Sequence, residues 1–425
     1  MDGSPGKLPA ERTTARRRRV GLGWLVALSL VVFPSGCVGP PAIKHTRLKY
    51  NEVYRQTNDE QLLLNIVRLR YADSPVFVDL PTITSQFEVT GHGGYTGGLD
   101  GQGPGRTNLG IGELTYRDTP TLSYHPREGR ELSRALLTPL SAELFRIINA
   151  GSSIEQFLLM AVSDINDVPN APRASYITPR VPDDNTLFRR GIRNLTRLGE
   201  SNAVELAFST SEEENGSSDP IPRARVEARD VLAAAKDGYV FRTSGDDAMS
   251  LRKREKSLVV KIRPEAVNSP ELHETAQIFH LAPGRDLYKI KSELSEDASE
   301  DLPSALGGDT LYLNMRSVLQ IAVFLGKGVC VPPEHVARGV VPVTTLPDGR
   351  PFDWTQVTDG LFRVQSQKKR PNDAEVAVFY RDYWFYIPKC DVTSRASLAI
   401  FELLFSLQES EDKGSGPLLT LPIGG

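Results

Sequence analysis

Cysteine is scarce: Cys37, Cys330 and Cys390 are the only three in 425 residues. That is too few for a disulfide-built scaffold and lacks the paired spacing of a zinc ribbon. Histidine is sparse as well. Of His45, His92, His125, His273, His280 and His335, only His273 comes near a helical metal pair. It opens "HETAQIFH" with Glu274, but Gln277 stands where the second ligand belongs, so no metal or other cofactor is expected. Positive charge is not in excess either. Residues 37–425 carry 44 Lys and Arg against 51 Asp and Glu, a net charge of −7, which argues against a nucleic-acid partner. There is no Gly-x-Ser-x-Gly elbow and no strand–glycine–helix phosphate loop. Ser366 and Lys369 of "SQKK" have the spacing of a penicillin-binding site without its companion motifs, and the pairs Asp183-Asp184 and Asp246-Asp247 fall in polar loops. No catalytic residue is expected from these patterns, and a non-enzyme is the leading expectation.

Long apolar runs are missing too, with one exception near the start. Val20–Phe33 is a run of 14 residues, ~21 Å as a helix against the ~30 Å of a bilayer core. Four arginines precede it and Pro34, Ser35 and Gly36 end it, which is the build of a signal peptide over residues 1–36. Ser35-Gly36-Cys37 resembles the bacterial lipobox, in which small residues precede a cysteine that is acylated and becomes the mature N-terminus. Pro34 departs from the aliphatic residue usual at that position, which leaves an ordinary secretory signal or an uncleaved anchor as the alternatives. With Cys37 as lipid attachment, the protein would hang from a membrane by its acyl chains. Residues 37–50 would be the tether, and Val38 leans toward the outer membrane. Cys330 and Cys390 would then stand in an oxidising compartment, either paired as a disulfide or as two separate thiols.

What the chain has in quantity is amphipathic pattern. Leu62, Leu63, Ile66, Val67 and Leu69 recur at helical spacing between Asn51 and Pro75, with Asn58 or Asp59 as cap and Arg68 and Arg70 on the solvated face. Ile83, Phe87 and Val89 then alternate with Thr82, Thr84, Gln86 and Glu88, and the alternation returns over residues 113–124 after a glycine-dense tip at 91–112. This predicts a long β-hairpin. Three short helices are expected between residues 129 and 170, then a helix and a strand over Phe188–Phe208. Acidic stretches at 209–219 and 292–301 bracket a region with strand candidates at Tyr239–Thr243, Ser257–Arg263 and Gln277–Leu281. It reads as a separate α+β insertion over 209–301. In the last part, 302–409, "NMRSVLQIAVFLGKGV" predicts a buried helix, and three strands follow with turns at 370–373 and Arg381-Asp382. A helix with Leu398, Phe401, Leu404, Phe405 and Leu407 on one face comes next, and residues 410–425 are a tail.

The class expected is α+β: helices packed with a long hairpin, then a C-terminal β-meander followed by a helix. The stretches "DEQLLLNIVRLRY", "LLTPLSAELFRIINAG" and "YRDYWFYI" with "SLAIFELLFSLQ" resemble an uncharacterised family of bacterial envelope lipoproteins. They are packing motifs, so the resemblance implies a location and a fold and carries no activity. Three roles remain open: a scaffold, assembly factor or binding module with a protein partner or homo-oligomer; a channel subunit donating one hairpin to a barrel, with Asp79, Glu88, Glu113 and Arg117 facing a wet lumen; and a cell-wall or peptide hydrolase. Tyr383, Trp384 and Tyr386 are candidates for lining a glycan or peptide groove.

Overall fold

The computed structural model describes residues 39–95, 110–127, 129–141, 144, 153–178, 180–213, 221–243, 248–292 and 308–412. The segment expected as a signal peptide and Cys37, the centre of the glycine tip, most of both acidic stretches and the end of the tail lie outside the described residues. The chain divides into two units, 1–58 and 59–425.

Helix α1, Gly39–Arg70, crosses that division. Pro40 and Pro41 stand in its first turn, where a missing N–H costs nothing. Nothing after them breaks the helix, so residues 39–50 are helical where a tether was expected, and Asn58 and Asp59 lie inside the helix. In the first unit an ion pair joins Arg55 to Glu52 at 3.0 Å.

In the second unit, Leu62, Leu63, Ile66, Val67 and Leu69 of α1 are buried as their spacing predicts. Arg68 and Arg70 are half-buried, contrary to the expected solvated face: Arg68 donates to Asn65 and Arg70 to Pro342 O. Two side-chain amides of α1 pair with the chain that follows it. Gln61 exchanges two hydrogen bonds with the backbone of Val78, and Asn65 exchanges two with Val76. The geometry matches because a helical step of four residues rises ~6.0 Å and a strand step of two ~6.6 Å. Asn65 is 2% exposed. Asn65→Leu therefore strands the Val76 N–H and C=O, and an expected loss of ~2–3 kcal/mol is readable in urea unfolding, with faster amide exchange at Val76.

From that root rise β1, Phe77–Tyr95, and β2, Gly110–Arg127. They pair antiparallel, with an irregularity between Asp79 and Thr82, and form a two-stranded sheet by themselves. At ~3.3 Å per residue the hairpin is ~60 Å long. The Phe77 ring stacks on Phe405, 4.9 Å between centroids.

Helices α2, Arg130–Leu137, and α3, Ile154–Ala161, follow. Of the three helices expected here, the middle run, 141–150, lies almost wholly outside the described residues and α3 is the third; strand β3, Val162–Ile165, follows α3 and turns through Asn166 and Asp167 into β4, Val168–Pro169. Both turn residues have positive φ, 47° and 63°, the left-handed conformation of a tight hairpin. Helix α4, Thr186–Glu200, and strand β5, Val204–Glu213, agree with the sequence pattern. Next come β6, Ile221–Pro222; α5, Ala228–Lys236; β7, Tyr239–Thr243; β8, Ala248–Ile262; α6, Pro270–Ile278; β9, Leu287–Ser292; and β10, Thr310–Met315.

These strands make one eight-stranded sheet in the order β4-β3-β10-β9-β8-β5, with β6 and β7 also paired to β8. Only β9 and β10 run parallel. The region expected as a separate insertion thus supplies central strands of a sheet that begins at Val162, because β9 and β10 pair across the second acidic stretch. The strand expected at Gln277–Leu281 is instead the last two residues of α6, a turn and a single bridge at Leu281; the Ser269 side chain caps this helix and Pro270 starts it.

Helix α7, Val318–Gly326, starts later than the apolar run suggests, since Asn314 and Met315 belong to β10 and Ser317 forms a capping box with Gln320. It is buried along most of its length and packs against α2, α3 and α10. Short helices α8, Pro333–Ala337, and α9, Thr355–Thr358, precede a three-stranded meander. Its strands are β11, Gln365–Gln367, β12, Ala374–Tyr380, and β13, Tyr383–Pro388, with β13 in the centre. Arg381 and Asp382, at φ 45° and 67°, make the turn the sequence predicts. Helix α10, Val392–Asp412, closes the fold with Leu398, Phe401, Leu404 and Phe405 buried. The protein is α+β, with a C-terminal meander and helix.

Candidate functional site

Two features extend beyond the packing of the core. The first is the hairpin. Its register places Thr82, Thr84, Gln86, Glu88, Thr90 and His92 on the same face as Glu113, Thr115, Arg117, Thr119, Thr121 and Ser123. The opposite face carries Ile83, Phe87, Val89, Leu114, Tyr116 and Leu122, together with Ser85, Asp118, Pro120 and several glycines. Asp79, opposite His125, falls on the polar face with Glu88, Glu113 and Arg117.

The second feature is a cavity of about 700 Å³, whose lining includes Arg70, Lys327, Cys330, Val336, Phe352, Trp354, Arg363 and Ser394. The loop from α7 to α8 builds one wall. Gly328 lies so close to Phe362 that an added Cβ would sit 2.2 Å from the Phe362 carbonyl oxygen, which is why this position is glycine. The close approach is stitched by Val364 N–H donating to Gly328 O at 3.0 Å and Cys330 N–H donating to Val364 O at 2.8 Å. Lys327, between Gly326 and Gly328, is thereby drawn under the surface to 5% exposure. Its Nζ donates to Tyr176 O at 3.0 Å and lies 5.4 Å from the centre of the Trp354 ring. Burial, then the neighbouring Arg70 charge, lower its pKa to about 7. Arg70 Nη1 donates to Pro342 O at 2.8 Å, its Nε is buried with no partner, and burial lowers its pKa as well.

The acids of the cavity are committed elsewhere or exposed. Asp353 accepts from the Thr355 N–H and hydroxyl, and Asp391 from the Ser394 N–H and hydroxyl. Asp359 is exposed. Arg363 is exposed, and the adjoining Cys330 sulfur raises its pKa.

The residues singled out from sequence are scattered. Cys330 and Cys390 are free thiols, so the disulfide is not made: Cys330 is half-buried at the cavity, and Cys390 is exposed in the turn before α10. His273 donates to Ser269 O inside α6, and His280 donates to Asn166 O from a residue at φ 53°. Among the described residues no group of three or more His, Cys, Asp or Glu is placed to hold a metal ion. Asp183 pairs with Arg173 at 3.3 Å, and Asp184 accepts from the N–H and hydroxyl of Thr186. Asp246 and Asp247 lie outside the described residues. Ser366 sits in β11 and Lys369 is exposed beyond it. Tyr383 is a core residue, its ring edge-on to His335 at 5.0 Å, so it cannot line a groove. Trp384 tilts against Phe379 on the other face with Arg370 over it, and Tyr386 donates to Gln365.

His335, unremarkable in sequence, shares a hydrogen bond between its Nδ1 and the buried Tyr71 hydroxyl at 2.6 Å. Burial, with Arg338 and Arg381, lowers the imidazole pKa, while burial pushes the Tyr71 phenol far above its usual range. Lys327 and Arg70 carry no motif that sequence reasoning could flag. Their one cue is a lysine flanked by glycines directly after an apolar helix.

Among the described residues no helix is long and apolar enough to cross a membrane. Comparison with protein-family models, with curated proteins and with solved structures finds no match to this chain.

Proposed function

We propose that this chain is a non-enzymatic, lipid-anchored protein of the bacterial envelope that works as an oligomer, each copy giving its β1–β2 hairpin to a shared barrel. The observation that carries the reading is the hairpin, a two-stranded sheet with one polar and one largely apolar face. Such a sheet has two open edges. Alone in water it would be marginal, and in hydrocarbon every unpaired N–H and C=O would cost several kcal/mol. Pairing with the hairpins of further copies removes both edges. The apolar face then meets lipid, and the threonine-rich face, with Glu88, Glu113 and Arg117, lines a wet lumen. Asp118, opposite Phe87, sets the near border of the apolar band. Beyond it, Phe87–Tyr95 gives roughly nine residues per strand, against the ~9–11 of a tilted crossing.

The Cys37 lipid anchor, the outer-membrane placement and kinship with envelope lipoproteins belong to this proposal, supported by the signal segment and lipobox of the sequence. The full chain, extracted in detergent, is expected to run as a defined oligomer and to give stepwise conductance in a planar bilayer. Conductance lost on replacing residues 82–123 by a short glycine–serine turn would tie it to the hairpin. A monodisperse monomer without conductance refutes the barrel. An oligomer without conductance leaves the scaffold role, in which the hairpin edges join copies or another protein.

A further inference from the structure

We propose that the cavity between the α7–α8 loop, α9 and the start of α10 binds a small monocarboxylate with an apolar body, its charge held by Lys327 and Arg70 and its body against Trp354. A protein interior pairs its charges, because an unpaired buried ion costs far more than its hydrogen bonds return. Here two cations line one cavity, and among the described residues the contacts they make are with carbonyls and a ring rather than with a carboxylate. Each satisfies one donor on a carbonyl, Tyr176 O and Pro342 O, and leaves the rest of its charge unanswered. The buried Arg70 Nε has no acceptor at all. An anion from outside the chain completes this site.

The surroundings narrow its chemistry. Trp354, Phe352 and Val336 offer an apolar wall, and about 700 Å³ lies within the range of sites that enclose a small organic ligand. Asp353, Asp359 and Asp391 also line the cavity, as does Arg363, so a dianion such as phosphate would meet repulsion from the acids where a monoanion meets less. The inference stands apart from the hairpin and does not depend on it.

The test uses the detergent-extracted full chain at pH 6.5, titrated with octanoate, with benzoate and with inorganic phosphate. Octanoate or benzoate is expected to raise the unfolding temperature in a saturable manner, with phosphate at least tenfold weaker. Lys327→Met and Arg70→Met should each weaken carboxylate binding tenfold or more, while Lys327→Arg retains it. Should a methionine variant fail to fold, octanoate is expected to change the native tryptophan emission, and Trp354→Phe to remove that change. The site is overturned if neither carboxylate binds, if Lys327→Met binds as tightly as the native chain, or if the emission change survives in Trp354→Phe. Phosphate binding alone overturns the carboxylate assignment.

Discussion

Arg316→Met is expected to cost the fold ~3–5 kcal/mol, more than Asn65→Leu, because more buried groups depend on this one side chain. Arg316 is 1% exposed, and each of its three nitrogens donates to a group at the end of α3 or in the chain that follows it. Nε donates to the Ser175 hydroxyl at 2.8 Å, and Nη1 to the carbonyls of Leu159, Met160 and Val162 at 3.1, 3.1 and 2.7 Å. Nη2 donates to Asn170 O. Leu159 and Met160 belong to the last turn of α3, so the guanidinium caps that helix and sits at the negative end of its dipole. Its plane rests over Phe324, 4.1 Å from the ring centre. Asn170 Nδ2 also serves Leu159 O and Val162 O, so methionine strands chiefly Met160 O, Asn170 O and the Ser175 hydroxyl. Each stranded buried group costs ~1–3 kcal/mol, partly offset because no charge need then be desolvated. Lysine, with three donors and no fork, should recover less than half of the loss. Urea midpoints followed by near-ultraviolet circular dichroism decide it, and a loss under ~1 kcal/mol would show that α3 needs no such cap.

Raising the pH from 7 to 9 is expected to stabilise the protein free of carboxylate ligands. Lys327 has a folded pKa of about 7 against an ordinary 10.5, so across this window the unfolded chain binds the proton and the folded chain does not. Stability therefore rises with pH, by at most ~1.4 kcal/mol per unit. The other shifted groups act outside the window. The lowered imidazole of His335 has made its contribution by about pH 6.5, and Arg316, with a folded pKa of about 9, begins where the window ends. The raised phenol of Tyr71 opposes only once an unfolded tyrosine ionises, near pH 10. Lys327→Met should abolish the rise and leave the protein more stable than native at pH 7. Unfolding midpoints at pH 7, 8 and 9 for both chains cancel the background of the cysteines, and equal slopes would contradict the buried ammonium.

The sequence was legible where local pattern and final environment agree. The hairpin announces itself because period-two alternation persists on both sides of a glycine tip. Helix α10 and the Arg381-Asp382 turn are visible for the same reason, each being decided by residues within a few positions. Val162–Ile165 was not legible. It continues the apolar run of α3 without a break in period, and it becomes a strand by pairing with the two-residue β4 on one side and with β10, about 150 residues on, on the other. The parallel contact of β9 with β10 is equally non-local and hides the continuity of the large sheet. The cavity was the least readable feature. Whether Lys327 and Arg70 lie in water or under the surface is decided by carbonyls of Tyr176 and Pro342 far along the chain, and by a glycine whose necessity appears only beside Phe362.

The two amide rungs of α1 also act as a phase lock. A strand slipped by one residue exchanges its sides, so its wet side would become its greasy one. Gln61 and Asn65 admit only Val78 and Val76, and a single residue inserted between them would swing one amide about a hundred degrees around the helix. The rotational setting of α1 thus fixes the phase in which the chain enters β1, and the irregularity between Asp79 and Thr82 hands that phase on, shifted by one residue, to the rest of the strand.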